Sequence, residues 1–155
     1  ALTADFSDQI GTQNHWIFMI YMTAASFLSR IFGGKASDKH GRVKVIRIGL
    51  LGMALGLTLI AFSRTYFSYY SGAILLGVSG GLTSPSLYAW AIDLGDDSNR
   101  GKSMATIYIA LELGIGLGAL ISGTFFLGSI TQMTIGFLIS AFVAALGFLY
   151  VRKKS

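Results

Sequence analysis

Apolar runs of about twenty residues, parted by short charged clusters, constrain this chain more than any other feature. "WIFMIYMTAASFLS" leads into the knot "GGKASDKHGRVKV", and "IGLLGMALGLTLIAF" leads away from it. A run of that length, coiled as a helix, crosses a hydrocarbon core of ~30 Å. In lipid the backbone must satisfy its own hydrogen bonds, which favours the helix. Charged residues make up 12% of the chain, half the roughly 25% of a soluble domain. The sequence therefore predicts an all-α, polytopic helical membrane protein. Five spans are expected, at about 15–33, 45–62, 67–93, 103–126 and 131–151. The short connections between them make sequential helices antiparallel neighbours.

The cations give the spans a direction. Arg30, Lys35, Lys39, Arg42, Lys44, Arg47, Arg100, Lys102, Arg152, Lys153 and Lys154 fall on one side, and only Arg64 on the other. By the positive-inside rule, the 34–44 connection and the tail 152–155 lie in the cytoplasm, with residues 1–14 an extracytoplasmic loop. The same rule accounts for the net charge of +5 without a nucleic-acid partner. With no cysteine, there is no disulfide and no thiolate site. The start "ALTADFSDQIG" has no basic n-region, and it reads as the middle of a polar loop in a fragment or processed chain.

A few polar side chains inside the spans are costly. Glu112, in "IYIALELGIGLG", lies roughly 12 Å into the fourth span at ~1.5 Å per residue. Acids at that depth usually face the bundle or a wet cavity and serve a function. Ala105, Tyr108, Glu112, Gly116, Ala119 and Gly123 recur every three or four residues and share its face. Tyr21, Tyr88 and Trp90 are the bulky amphipathic residues of the first and third spans. Those two spans and the fourth are expected to face protein or water, and the uniformly apolar second and fifth to face lipid. Pro85 removes a backbone bond from the third span. Asp93 ends that span, where the helix dipole disfavours an anion, so it needs a cation such as Arg30, Arg42 or Arg100. Gly52 with Gly56, Gly77 with Gly80 and Gly81, and Gly114 with Gly116 and Gly118 are candidate helix-packing seams. No metal-ligand cluster, cofactor-binding loop or nucleophile–base pair appears.

The stretch "SRIFGGKASDKHGRVKV" resembles the signature loop of the major facilitator superfamily, G-x-L-a-D-x-x-G-R-[RK]-x. Gly34, Asp38, Gly41 and Arg42 match it, Ala36 replaces the usual leucine, and Val43 replaces a basic residue with Lys44 next. Arg30 upstream fits the family's habit. "GVSGGLTSPSLYAWAIDLGDDSNRGKSMATIYIALELGIGLGALISG" resembles the next two helices, with Asp93 and Arg100 in the expected places. "GIGLGALISG" is similar to the family's antiporter glycine motif, with Ala119 where a proline is usual. The resemblance implies a transporter built as two six-helix halves. It makes this chain a half without its first helix; the basic end "YVRKKS", similar to a natural C-terminus, favours helices eight to twelve over two to six, with the N-terminal half and the first helix of its own half as partners. It also implies a cytoplasmic latch made by Asp38, with Arg42 as its charge partner and Gly34 and Gly41 allowing close packing and the turn.

Together these readings give part of a secondary transporter in the lipid bilayer, a bacterial inner membrane by its overall look. It moves a small molecule by alternating access, with protons as the coupling ion and efflux as the direction. Glu112, Tyr108, Tyr21, Tyr88 and Trp90 are the candidate cavity residues; Arg30, Gly34, Asp38, Gly41, Arg42, Asp93 and Arg100 form the candidate gate. The rivals are a non-transporting scaffold or receptor on the same fold and an intramembrane enzyme using Glu112. The enzyme would need a second catalytic group at the same depth, and none is evident.

Overall fold

The computed structural model describes residues 15–95, 100–125 and 129–153. The expected loop 1–14 and the end of the tail, residues 154 and 155, lie outside them. The described residues form five helices and no strand: α1 (His15–His40), α2 (Arg42–Ala61), α3 (Tyr66–Leu94), α4 (Arg100–Phe125) and α5 (Ile130–Lys153). Four of them, α1, α2, α4 and α5, are long and apolar enough to cross a membrane. The 29-residue α3 is not among those four. Its serines, glycines and tyrosines dilute its apolarity, and it is the helix most enclosed by its neighbours.

The first helix differs from expectation. Residues 34–40, assigned above to a connection, continue α1, and only Gly41 separates it from α2. Gly41 has φ +90° and ψ 137°, a backbone conformation in which a β-carbon is strained. Lys35, Asp38 and Lys39 read as loop because they are charged, yet helices can run beyond the apolar zone that sequence hydropathy detects. The α2–α3 turn is short: Ser63 Oγ donates to the Ile60 carbonyl at 2.7 Å, and the Thr65 hydroxyl accepts from Ser68 N–H at the start of α3.

Packing runs in the order α1–α3–α2–α5, while α4 touches the rest chiefly through α3. Phe18 of α1 meets Tyr69 of α3, and Gly33 meets Leu82, so α1 and α3 run parallel. Gly49 lies against Thr83 and Gly72 against Ile60, so α2 is antiparallel to α3. Small residues make these approaches possible. A β-carbon on Gly77 would overlap the Met22 carbonyl oxygen, and one on Gly81 would overlap the Ser29 hydroxyl. Gly80 has open space instead, as do Gly114, Gly116 and Gly118, so those expected seams do not form within this chain.

The helix directions gather the charges. The end of α1, the starts of α2 and α4, and the ends of α3 and α5 lie together, which collects the described cations except Arg64 and Arg30, the latter near the middle of α1. The main apolar cluster, Phe18, Ile60, Ala61, Tyr69, Ala73, Met133 and Phe137, sits at the other end. There Thr134 Oγ1 also donates to the Ala61 carbonyl at 3.4 Å, tying α5 to α2. The α3 helix stays continuous through Pro85. Around it, Ser79, Thr83, Ser84 and Ser86 each donate a hydroxyl to a carbonyl four residues back. These bonds keep hydroxyls satisfied where water is scarce.

Candidate functional site

Of the gate residues, the structure joins Arg42 and Asp93. Arg42 Nε lies 2.6 Å from Asp93 Oδ2, linking the first turn of α2 to the last turn of α3. The cation answers the dipole problem of an acid at a helix C-terminus. The expected Asp38–Arg42 pairing is not formed. Gly41 breaks the helix between them, so residues 38 and 42 do not share a helical face. Asp38 is exposed and has no ion pair among the described residues. With Asp93 half-exposed, the Arg42 pair contributes about 1 kcal/mol or less to stability.

Arg30 stands elsewhere, at the edge of a cleft of about 510 Å³ between α1, α2 and α3, with Ser26 and Ser84 also on the lining. Gly34 is exposed, with nothing a β-carbon would meet. Arg100 opens α4 at the charged end. Beside it α4 meets α3: Gly95 lies close against the Ser103 side chain.

Two of the cavity residues come together. The rings of Tyr88 on α3 and Tyr108 on α4 stack with centroids 5.6 Å apart. One turn further along α4, Glu112 shares a hollow with Tyr108, Leu113 and Gly116. It stands at the midpoint of a 26-residue helix, next to Leu113. The predicted face is thus real, but α4 residues 111–120 are all exposed. The fourth span, expected to face protein or water, leaves that face open within this chain, because α4 meets the other four helices chiefly through α3. Trp90 is half-buried on α3. Tyr21 goes elsewhere: it packs on Tyr70, 5.5 Å between centroids, in the aromatic cluster with Tyr69 and Phe18 at the uncharged end. Tyr70, which no sequence pattern singles out, completes that cluster. Among the described residues, no three His, Asp or Glu side chains converge to hold a metal.

Long apolar helices packed through small-residue seams define an integral, polytopic α-helical membrane protein. The chain belongs to the major facilitator superfamily, whose family model matches residues 1–155. It is 31% identical over 144 residues to multidrug resistance protein 2 of Bacillus subtilis, covering 88% of this chain and 35% of that protein. It is 32% identical over 143 residues to the class B tetracycline resistance protein of Escherichia coli, covering 89% and 34%. A triacylglyceride transporter of Mycobacteroides abscessus is 36% identical over 87 residues, covering 56% and 17%. The chain thus spans about a third or less of these relatives' length.

Proposed function

We propose that this chain supplies helices eight to twelve of a secondary transporter that exports a small amphipathic molecule across a bacterial inner membrane by alternating access. The N-terminus lies outside, and the charged end is cytoplasmic. The observation that carries the reading is the pair that joins Arg42 of the signature stretch to Asp93 at the end of α3. The uncharged end is held by a buried apolar cluster, which is non-directional and continuous. The α2–α3 junction at the charged end adds to buried Val45, Ile46 and Ala91 a partly exposed ion pair, which can part and re-form at low cost. That asymmetry suits a bundle that opens and closes at its charged end. Asp38 and Arg100 belong to the same gate, with Asp38 free to meet the rest of the transporter. Tyr88, Tyr108 and Trp90 line the substrate path beside Glu112, which carries the coupled proton; Tyr21 borders it from the uncharged end.

The relatives' names make tetracycline the first probe. Transport by the intact protein, read as efflux from preloaded right-side-out vesicles or as uptake into inverted ones, is compared for wild type, Arg42→Gln, Asp93→Asn and the exchange Arg42→Asp/Asp93→Arg. Each single variant is expected to slow export at least fivefold at normal expression, and the exchange to recover part of it. Single variants that export at the wild-type rate would refute the gate. A protein that moves no probe while still binding one would favour the receptor reading.

A further inference from the structure

Arg47 is a second misplaced charge, and the gate does not use it. It lies five residues into α2, flanked by Ile46 and Ile48, where the helix has turned apolar. Its guanidinium sits 5.7 Å over the Phe148 ring of α5. The ring holds the cation in place without neutralising it. Among the described residues neither Arg47 nor Lys44 has an acidic partner. Lys44 precedes Arg47 by one turn, and both line a groove of about 410 Å³ between α2 and α5 with Ile48, Leu51 and Phe148.

We propose that this groove binds the phosphate of an anionic phospholipid between Lys44 and Arg47, with an acyl chain laid along the outer face of α2. The case rests on charge and on continuity. Two cations on one helical face converge on a site without an acid, which fits a phosphodiester. From its floor an exposed apolar stripe continues through Leu51, Leu55 and Leu59. From Arg47 to Leu59 is about 18 Å of helix, close to the depth of one leaflet in a ~30 Å core. A free phosphate would gain nothing from that stripe, and a zwitterionic lipid little from the two cations. Basic sites at helix junctions beside the headgroups are where anionic lipids are recognised. The positive-inside rule asks only for cations somewhere in the flanking segment; it does not require one braced against an aromatic ring inside the span.

The test is native mass spectrometry of the intact protein in neutral detergent, given equal phosphatidylglycerol and phosphatidylcholine of matched chains. Wild type is expected to retain phosphatidylglycerol selectively. Two cations near a lipid surface contribute about 1 kcal/mol each, so Lys44→Gln/Arg47→Gln should weaken phosphatidylglycerol binding about 30-fold. Arg47→Gln alone, which disturbs folding less, should weaken it about fivefold. Lys35→Gln/Lys39→Gln, which removes two cations of α1, should leave it unchanged. Equal retention of both lipids, or wild-type affinity in the Arg47 variants, would overturn the proposal. So would displacement of the lipid by millimolar inorganic phosphate, which would mark a free-anion site.

Discussion

Gly77 and Gly80, three residues apart on α3, should respond in opposite ways to the same added methyl group. Replacing glycine by alanine in a helix favours the helix by about 1 kcal/mol. At Gly80 nothing stands within 4 Å of the new β-carbon, so only that small gain remains. At Gly77 the β-carbon would overlap the Met22 carbonyl oxygen and come within 2.9 Å of the Ala25 β-carbon. The obstacle is main chain of α1, which cannot rotate away. The helices must part, and the contacts beside the methyl group loosen. Overpacking of this kind costs typically 1–3 kcal/mol, and a backbone obstacle places Gly77→Ala at about 3. The two variants should therefore differ by roughly 2 to 4 kcal/mol. The assay is reversible unfolding of the intact protein by SDS in dodecyl maltoside micelles, followed by tryptophan fluorescence. Helices persist in SDS, so part of the propensity gain cancels, and Gly80→Ala should fall between neutral and about 1 kcal/mol more stable. Equal shifts in the same direction would refute the close α1–α3 contact.

Glu112→Gln keeps the size of the protonated acid but cannot titrate, so it should preserve binding and abolish accumulation driven by an imposed pH gradient in proteoliposomes. Wild-type pH dependence would reduce Glu112 to a hydrogen-bonding residue. Gly41→Ala meets no neighbour but must hold φ near +90°, and a thermal unfolding series should find it about 1–3 kcal/mol less stable. Because the chain has no cysteine, single cysteines label without background. Arg64→Cys should react with an impermeant thiol reagent on intact cells, and Lys39→Cys only after the membrane is opened; the reverse pattern would invert the topology.

Helix number and the collection of charge at one end were legible because both follow from one-dimensional patterns, apolar run length and cation placement. Contacts across the bundle were less so. Spacing put Tyr108 and Glu112 on one face, and the structure agrees, but periodicity gives a face without its partner. Thus Gly77 and Gly81 form a seam, while Gly80 beside them opens on the cleft. Arg42 finds Asp93 across 51 positions of sequence; the helix dipole at Asp93 called for a cation and offered Arg42 beside Arg30 and Arg100, but it could not choose among them. Tyr21 does not join Tyr88 and Tyr108 because α1 and α3 run parallel, which sets it beside Tyr70 at the start of α3.

The one-residue joint at Gly41 has a mechanical consequence. Two backbone torsions there set the angle between α1 and α2, which otherwise touch little. The far end of the 20-residue α2, about 30 Å away, is pinned in the apolar cluster through Ile60 and Ala61. With that end as the fulcrum, a turn of about 20° would sweep the Gly41 end through roughly 10 Å, and the Arg42–Asp93 pair beside the joint would take nearly all of that displacement. The joint therefore lets the start of α2 swing while α1 stays seated on α3.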